Sequence, residues 1–230
     1  MFEVGKFLRQ RYDGFIPSKF KATEVLVLSR GVNRCIMSAQ SLLAGLFPPV
    51  EDQIWNSELL WQPVPIYSLD VSTDNVRVVV CAKIRLLYTF MRSCIQEYFG
   101  TEQIRKIISG VLINDILTNM AKKKESKESY ERRLNLYSAH DVTILSLWRC
   151  LEILEPMLEP GYGAIFIIEL HEIDGKYTVK IMYKNSATDK DVTPLHTAEC
   201  PQDGPPCDFD VFSSSLKSVA ITDYNKACQI

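Results

Sequence analysis

The sequence predicts a mixed α/β sheet with flanking helices. An apolar strand over 25–28 runs directly into a helix-patterned stretch, and a second apolar run over 134–137 does the same. A pair of β-rich runs then flanks Asp174–Gly175, a dipeptide that favours the positive φ angles of a tight hairpin turn. Two strand-to-helix units and an antiparallel hairpin together define a sheet with helices on its faces.

Each element has a local reason. The opening stretch "MFEVGKFLRQRYDGF" reads as an amphipathic helix, with Phe2, Val4, Phe7 and Leu8 on one face and Lys6, Arg9 and Arg11 toward water. After the strand over 25–28, "GVNRCIMSAQSLLAGLF" offers Ile36, Leu42, Leu43 and Leu46 for a core face, and Pro48 and Pro49 end the helix. "WQPVPIYSL" is extended because its prolines deny it helix. Residues 82–120 have a helical pattern, broken near Gly100, and a polar surface link follows. A helix over 142–154 comes after the second strand. The tail over 185–230 reads mostly as loop.

Composition narrows the function. Hydrophobic residues make up 47% of the 230, enough for a real core, and the formal net charge is −2. A nucleic-acid partner would call for a basic stripe. The one basic cluster, Lys122–Lys124, is interrupted by Glu125 and Glu128 and reads as a solvated loop or helix end. No apolar run approaches the length of a membrane span. The first residues lack the continuous apolar run of a signal peptide, and the chain opens inside a helix with no strand before it.

Seven cysteines, an odd number, leave at least one without an intramolecular disulfide partner. None shows the two-residue spacing of a zinc site. Cys200 and Cys207 bracket "PQDGPP", a turn-rich loop that a disulfide is able to close, and Cys228 is placed to staple the tail. The pattern leans toward an oxidising compartment.

Ligands of α/β sheets bind beyond the carboxyl ends of the strands. Arg30, Asn33 and Arg34 follow the first strand, and His140 and Asp141 follow the second. An arginine fork suits a tetrahedral oxyanion, a protonated carboxyl can hand a proton to a leaving alkoxide, and an imidazolium can stabilise charge on a phosphoryl group. The same residues also fit a plain helix start, with His140 capping and Asp141 in the first turn, where the dipole favours an acid. Spacing alone leaves both readings open.

A resemblance bears on that choice. "EVLVLSRGVNRCIMSAQSLLAGLFPP" resembles the histidine acid phosphatases, whose members carry a similar strand followed by "RSTDVDRTLMSAQ" and "LAGLFPP". "WNSELLWQPVPIYSL", "SGVLINDILTNM", "LYSAHDVTI" and "IIELHEIDGKYTVKIMYKN" resemble, in order, further segments of that family. The resemblance implies that Arg34 binds phosphate, that His140 contacts the phosphoryl group, and that Asp141 donates the proton to the leaving group. It implies disulfides between Cys81 and Cys228 and between Cys200 and Cys207. Cys35, Cys94 and Cys150 have no counterpart and read as core thiols. No metal or cofactor is implied. The implied partner is a small phosphate monoester or inorganic phosphate, with a homodimer by analogy and a secreted or lysosomal location.

The departures from the family matter as much. Its "RHGxRxP" signature, which supplies the nucleophilic histidine and two phosphate-binding arginines, has no match in these 230 residues. His171 and His196 are not placed to substitute. "RSTDVDR" has become "LSRGVNR", with Leu28, Arg30, Gly31 and Asn33 in place of arginine, threonine and two aspartates. Little separates Cys81 from "SGVLINDIL", where the family has a long insertion. The expectation is one incomplete histidine phosphatase-like domain over 1–230, without the first core strand and most of the helical cap. In it, 1–80 and 121–230 form the α/β core and 81–120 a reduced cap. Three functional readings follow: an acid phosphatase given in part, a pseudoenzyme that binds phosphate, or a product that folds poorly and does nothing specific.

Overall fold

Helix α1 (Phe2–Arg11) buries Val4, Gly5 and Leu8 and ends at Tyr12. The computed structural model describes residues 1–69, 102–126 and 129–222, which fall into two compact units. One unit combines Met1–Asp74 with Ser126–His140, and the other combines Asn75–Glu125 with Asp141–Ile230.

In the first unit, β1 (Val25–Arg30) alternates buried and half-buried positions, with Val25, Val27 and Ser29 inward. It is the middle strand of a parallel sheet, between β2 (Tyr67–Leu69) and β3 (Leu134–Ser138). The expected strand over 134–137 is present, but its side chains are half-buried rather than buried. Val32 takes an extended backbone, and α2 (Asn33–Leu46) starts immediately after it. The inward face of α2 is Cys35, Ala39, Leu42, Leu43, Gly45 and Leu46, so Ile36 yields its expected core place to Cys35. Each fully buried leucine on that face contributes about 1.5–3 kcal/mol.

Helices α1 and α2 cross at a pair of glycines. A Cβ on Gly5 would stand 2.0 Å from the Leu42 carbonyl oxygen, and one on Gly45 would stand 2.2 Å from the Phe2 carbonyl oxygen. No other residue permits that backbone approach. Arg9 does not face water as expected. Its guanidinium donates to the carbonyl oxygens of Pro17, at 2.8 Å, and of Ile16, closing the turn after α1. Buried Glu24 receives the Arg133 guanidinium at 2.9 Å, tying the approach to β1 to the approach to β3.

In the second unit, α3 (Glu102–Ser126) contributes buried Ile107, Ile108, Leu112, Ile113 and Leu117. The lysine cluster lies in its last turns, where Lys124 pairs with Asp210 at 2.5 Å and sits over the Phe209 ring. Helix α4 (Asp141–Cys150) is shorter than the expected 142–154. Glu152, just beyond it, takes a positive φ that a continuing helix forbids. β4 (Ile165–Ile173) and β5 (Lys176–Lys184) form the expected hairpin, with φ of 52° at Asp174 and 75° at Gly175. β5 also pairs antiparallel with β6 (Thr193–Leu195) and β7 (Cys207–Asp208). The Trp148 ring packs edge-on against Tyr183 at 5.1 Å.

The mixed α/β class therefore holds, with parallel strands in one sheet and antiparallel strands in the other. The described part of the tail, up to residue 222, carries more regular structure than expected. The Asp208 carboxylate accepts the N–H groups of Asp210 and Val211 and caps α5 (Phe209–Ser215), which buries Phe209 and Phe212.

Candidate functional site

β1 and β3 run parallel with Leu28 opposite Tyr137 and Ser29 opposite Ser138, so both chains leave the sheet at the same edge. From β1 the chain turns into α2, whose first turn carries Arg34 and no acidic residue. From β3 it passes through Ala139 to His140. The Arg34 Nη2 atom lies 3.4 Å from His140 Nε2. An arginine N–H can donate there only when Nε2 carries its lone pair, which assigns the ring proton to Nδ1 in that state. Arg34 is exposed and His140 half-buried, so both remain accessible to a small anion.

Behind this pair, the α2 start is tied to the segment leaving β3 in both directions. The Ser138 hydroxyl donates to the Cys35 carbonyl oxygen at 2.7 Å. The Cys35 thiol donates to the Ala139 carbonyl oxygen at 3.3 Å. The Cys35 sulfur also lies 3.8 Å from each His140 ring nitrogen. Sequence reading took Cys35 for a core thiol. It is buried, but it touches the histidine as well. Its place on the inward α2 face with Ala39 carries no sign of that contact in the sequence.

Asp141 follows His140 in the chain and is the first residue of α4, in the second unit. Its Oδ1 accepts the Val142 N–H at 2.8 Å. An acid there is favoured by the helix dipole. Arg34 and His140 are thus adjacent within one unit, while Asp141 opens a helix of the other.

The remaining histidines are engaged elsewhere. His171 Nε2 lies 2.8 Å from Glu169 Oε2 on β4. His196 Nδ1 lies 2.5 Å from Glu155 Oε1, and the His196 backbone N–H donates to the other oxygen of that carboxylate at 2.9 Å. Cys200 and Cys207 form a disulfide with Cα atoms 4.9 Å apart. The Cys81–Cys228 pairing and Cys94 lie outside the described residues. Cys150 is a buried thiol whose pKa burial pushes up to about 12, so it is chemically quiet. Among the described residues, no group of three or more His, Cys, Asp or Glu side chains is arranged to hold a metal.

A guanidinium and an imidazole thus meet at the carboxyl edge of a parallel sheet, the edge at which α/β folds place their ligands. The family model for the histidine phosphatase superfamily (branch 2) matches residues 1–83 and 85–184, and the chain belongs to that family. It is 26% identical to the prostatic acid phosphatase of Bos taurus, with 100% of this chain and 76% of the relative aligned. It is also 26% identical to the lysosomal acid phosphatase of Rattus norvegicus, over 99% of this chain and 70% of the relative. Its function is therefore histidine acid phosphatase-like at the level of the family. Among solved structures, the phytase of Citrobacter braakii shares the fold, with a TM-score of 0.66 at 11% identity over 100% of this chain and 87% of that one. At that identity the likeness is one of fold alone.

Proposed function

We propose that this chain binds inorganic phosphate and small phosphate monoesters through Arg34 and His140, with Asp141 as the proton donor to a leaving group. The observation that carries this reading is the 3.4 Å approach of the Arg34 guanidinium to the His140 ring. Arg34 offers N–H donors and a permanent positive charge. His140, once protonated, offers a further donor to a phosphoryl oxygen. The start of α2 adds a favourable dipole undiluted by acidic side chains. A carboxyl such as that of Asp141 suits a leaving alkoxide, which must be protonated as the bond to phosphorus breaks.

These groups supply binding and proton transfer, and a phosphohistidine route also needs a histidine that attacks phosphorus. The 230 residues contain no "RHGxRxP" signature, and His171 and His196 are paired with carboxylates. Within these residues, phosphate binding is the part of that chemistry for which the groups are in place. A reduced cap fits the alignment with the bovine relative. All of this chain is aligned over 313 positions, so the relative carries segments this chain lacks inside the matched span. The family match is interrupted at residue 84. The name of the rat relative supports a lysosomal setting, and the family resemblance a secreted one as the alternative.

The test is a titration of the purified chain with inorganic phosphate at about pH 5, followed by calorimetry and by thermal unfolding. Phosphate must raise the transition, and Arg34→Ala and His140→Ala must each abolish most of that rise. A wild-type chain indifferent to phosphate rejects the reading. The same samples are assayed with a chromogenic phosphate ester. Turnover lost in His140→Ala establishes the second reading, an acid phosphatase, which the retention of Arg34, His140 and Asp141 favours.

A further inference from the structure

We propose that Cys35 is a positioning residue for His140, holding the imidazole beside the Arg34 guanidinium. The inference rests on the reading of His140 as a phosphate contact and adds to it the group that fixes the ring. Three contacts support it. The thiol donates to the Ala139 carbonyl oxygen at 3.3 Å, one residue before the histidine. The sulfur is 3.8 Å from both ring nitrogens, so it cannot lie along either N–H direction and instead packs where the ring is equidistant from both. The Cys35 carbonyl oxygen accepts the Ser138 hydroxyl at 2.7 Å, so one α2 residue holds the segment over 138–140 from two sides.

The neighbouring position in sequence carries Arg34, so the residue that presents the guanidinium is next in the chain to the one that contacts the imidazole. At 2% exposure the thiol is shielded from solvent, and its role is contact rather than attack on substrate. A sulfur is polarisable and a weak donor, suited to resting against an aromatic edge while tying a carbonyl. An ordinary packing residue would need only to fill the volume.

That difference sets the experiment, carried out on the full 230-residue chain with inorganic phosphate as the probe. Cys35→Val keeps apolar bulk and loses the donor, and Cys35→Ser keeps a donor and loses bulk. Cys35→Val is expected to weaken phosphate binding about three- to tenfold, the weight of one lost hydrogen bond, while Cys35→Ser stays within about twofold. The opposite order, or no loss in Cys35→Val, overturns the proposal. In a His140→Ala background Cys35→Val is expected to add nothing, and an equal loss there shows that Cys35 acts independently of the ring, which also overturns it.

Nitrogen shifts of the three histidine rings give a second measure that does not depend on affinity or on the valine variant folding. Cys35→Ser must move the His140 signals and leave those of His171 and His196 in place. Unmoved His140 signals overturn the proposal. Should the wild type not bind phosphate, or His140→Ala bind it equally well, the underlying reading fails as well. Should His140→Ala lose binding and Cys35→Val keep it, the positioning role alone fails.

Discussion

Arg34 and His140 are 106 residues apart in sequence and 3.4 Å apart in space, Nη2 to Nε2. The parallel register of β1 and β3 produces this meeting, because it brings Ser29 opposite Ser138 just before both chains leave the sheet. An arginine there differs from a lysine. Its planar fork presents paired donors to two oxygens of one phosphate, whereas an ammonium is a mobile point charge. Arg34→Lys is therefore expected to retain part of the phosphate binding, and Arg34→Ala to lose about tenfold or more. Calorimetric titration at fixed ionic strength checks the order. Equal affinity of the lysine variant and the wild type would remove the fork from the account.

The glycine crossing of α1 and α2 makes a prediction independent of any ligand. A Cβ on Gly45 would sit 2.2 Å from the Phe2 carbonyl oxygen and 3.0 Å from the Lys6 nitrogen, both backbone atoms that cannot swing aside. Gly45→Ala raises helix propensity and still is expected to destabilise the chain, by about 1–3 kcal/mol, through overpacking. Exposed Gln40 on the same helix is the control, and Gln40→Ala is expected to stay within about 0.5 kcal/mol of wild type. Urea unfolding of the two variants separates propensity from contact.

These two cases show why parts of the molecule could be read ahead of its coordinates and parts could not. β1, α2 and the 174–175 hairpin follow from hydrophobic period and turn chemistry, which are local. The pairing of Arg34 with His140 depends on strand register, so the sequence places each residue at a strand end, where α/β ligands bind, and leaves a plain helix start open beside that reading until the family resemblance gives them one role. The Cys35 contact was hidden because a buried cysteine on an apolar helix face satisfies the pattern whether or not it touches a histidine. Arg9 was assigned to water from its charge. The turn at Ile16 and Pro17 exposes carbonyl oxygens that recruit it, and those carbonyls leave no trace in a pattern of side chains. The short helix α5 escaped because its cap, Asp208, follows a proline- and glycine-rich stretch that reads as a turn-rich loop.

That loop is closed by the Cys200–Cys207 disulfide, whose second cysteine opens β7 opposite Val179 of β5. The next residue, Asp208, caps α5, so the bridge holds both a sheet edge and a helix start. For so short a loop, with a sequence separation of 7, chain entropy gives about 2.5 kcal/mol. Cys207→Ser is expected to lower unfolding stability by about that amount and to abolish the sensitivity of this region to reductant. Hydrogen exchange of the α5 amides, with and without reductant, shows whether the loss is local.

The clamp between Glu155 and His196 sets a pH dependence. Burial pushes the Glu155 carboxyl up, but the His196 backbone N–H at 2.9 Å and the His196 ring at 2.5 Å outweigh it and hold the pKa below its ordinary 4.5. A carboxyl whose pKa is lower in the folded state than in the unfolded state contributes stability above the unfolded value and loses it as pH falls through the folded one. Glu155→Gln is therefore expected to be less stable than wild type at neutral pH. The difference should shrink once the pH drops below the ordinary carboxylate range, where wild-type Glu155 is itself protonated. Thermal unfolding of both proteins across that range checks the sign, and a gap that widens toward acid would show that the carboxylate is not what His196 holds.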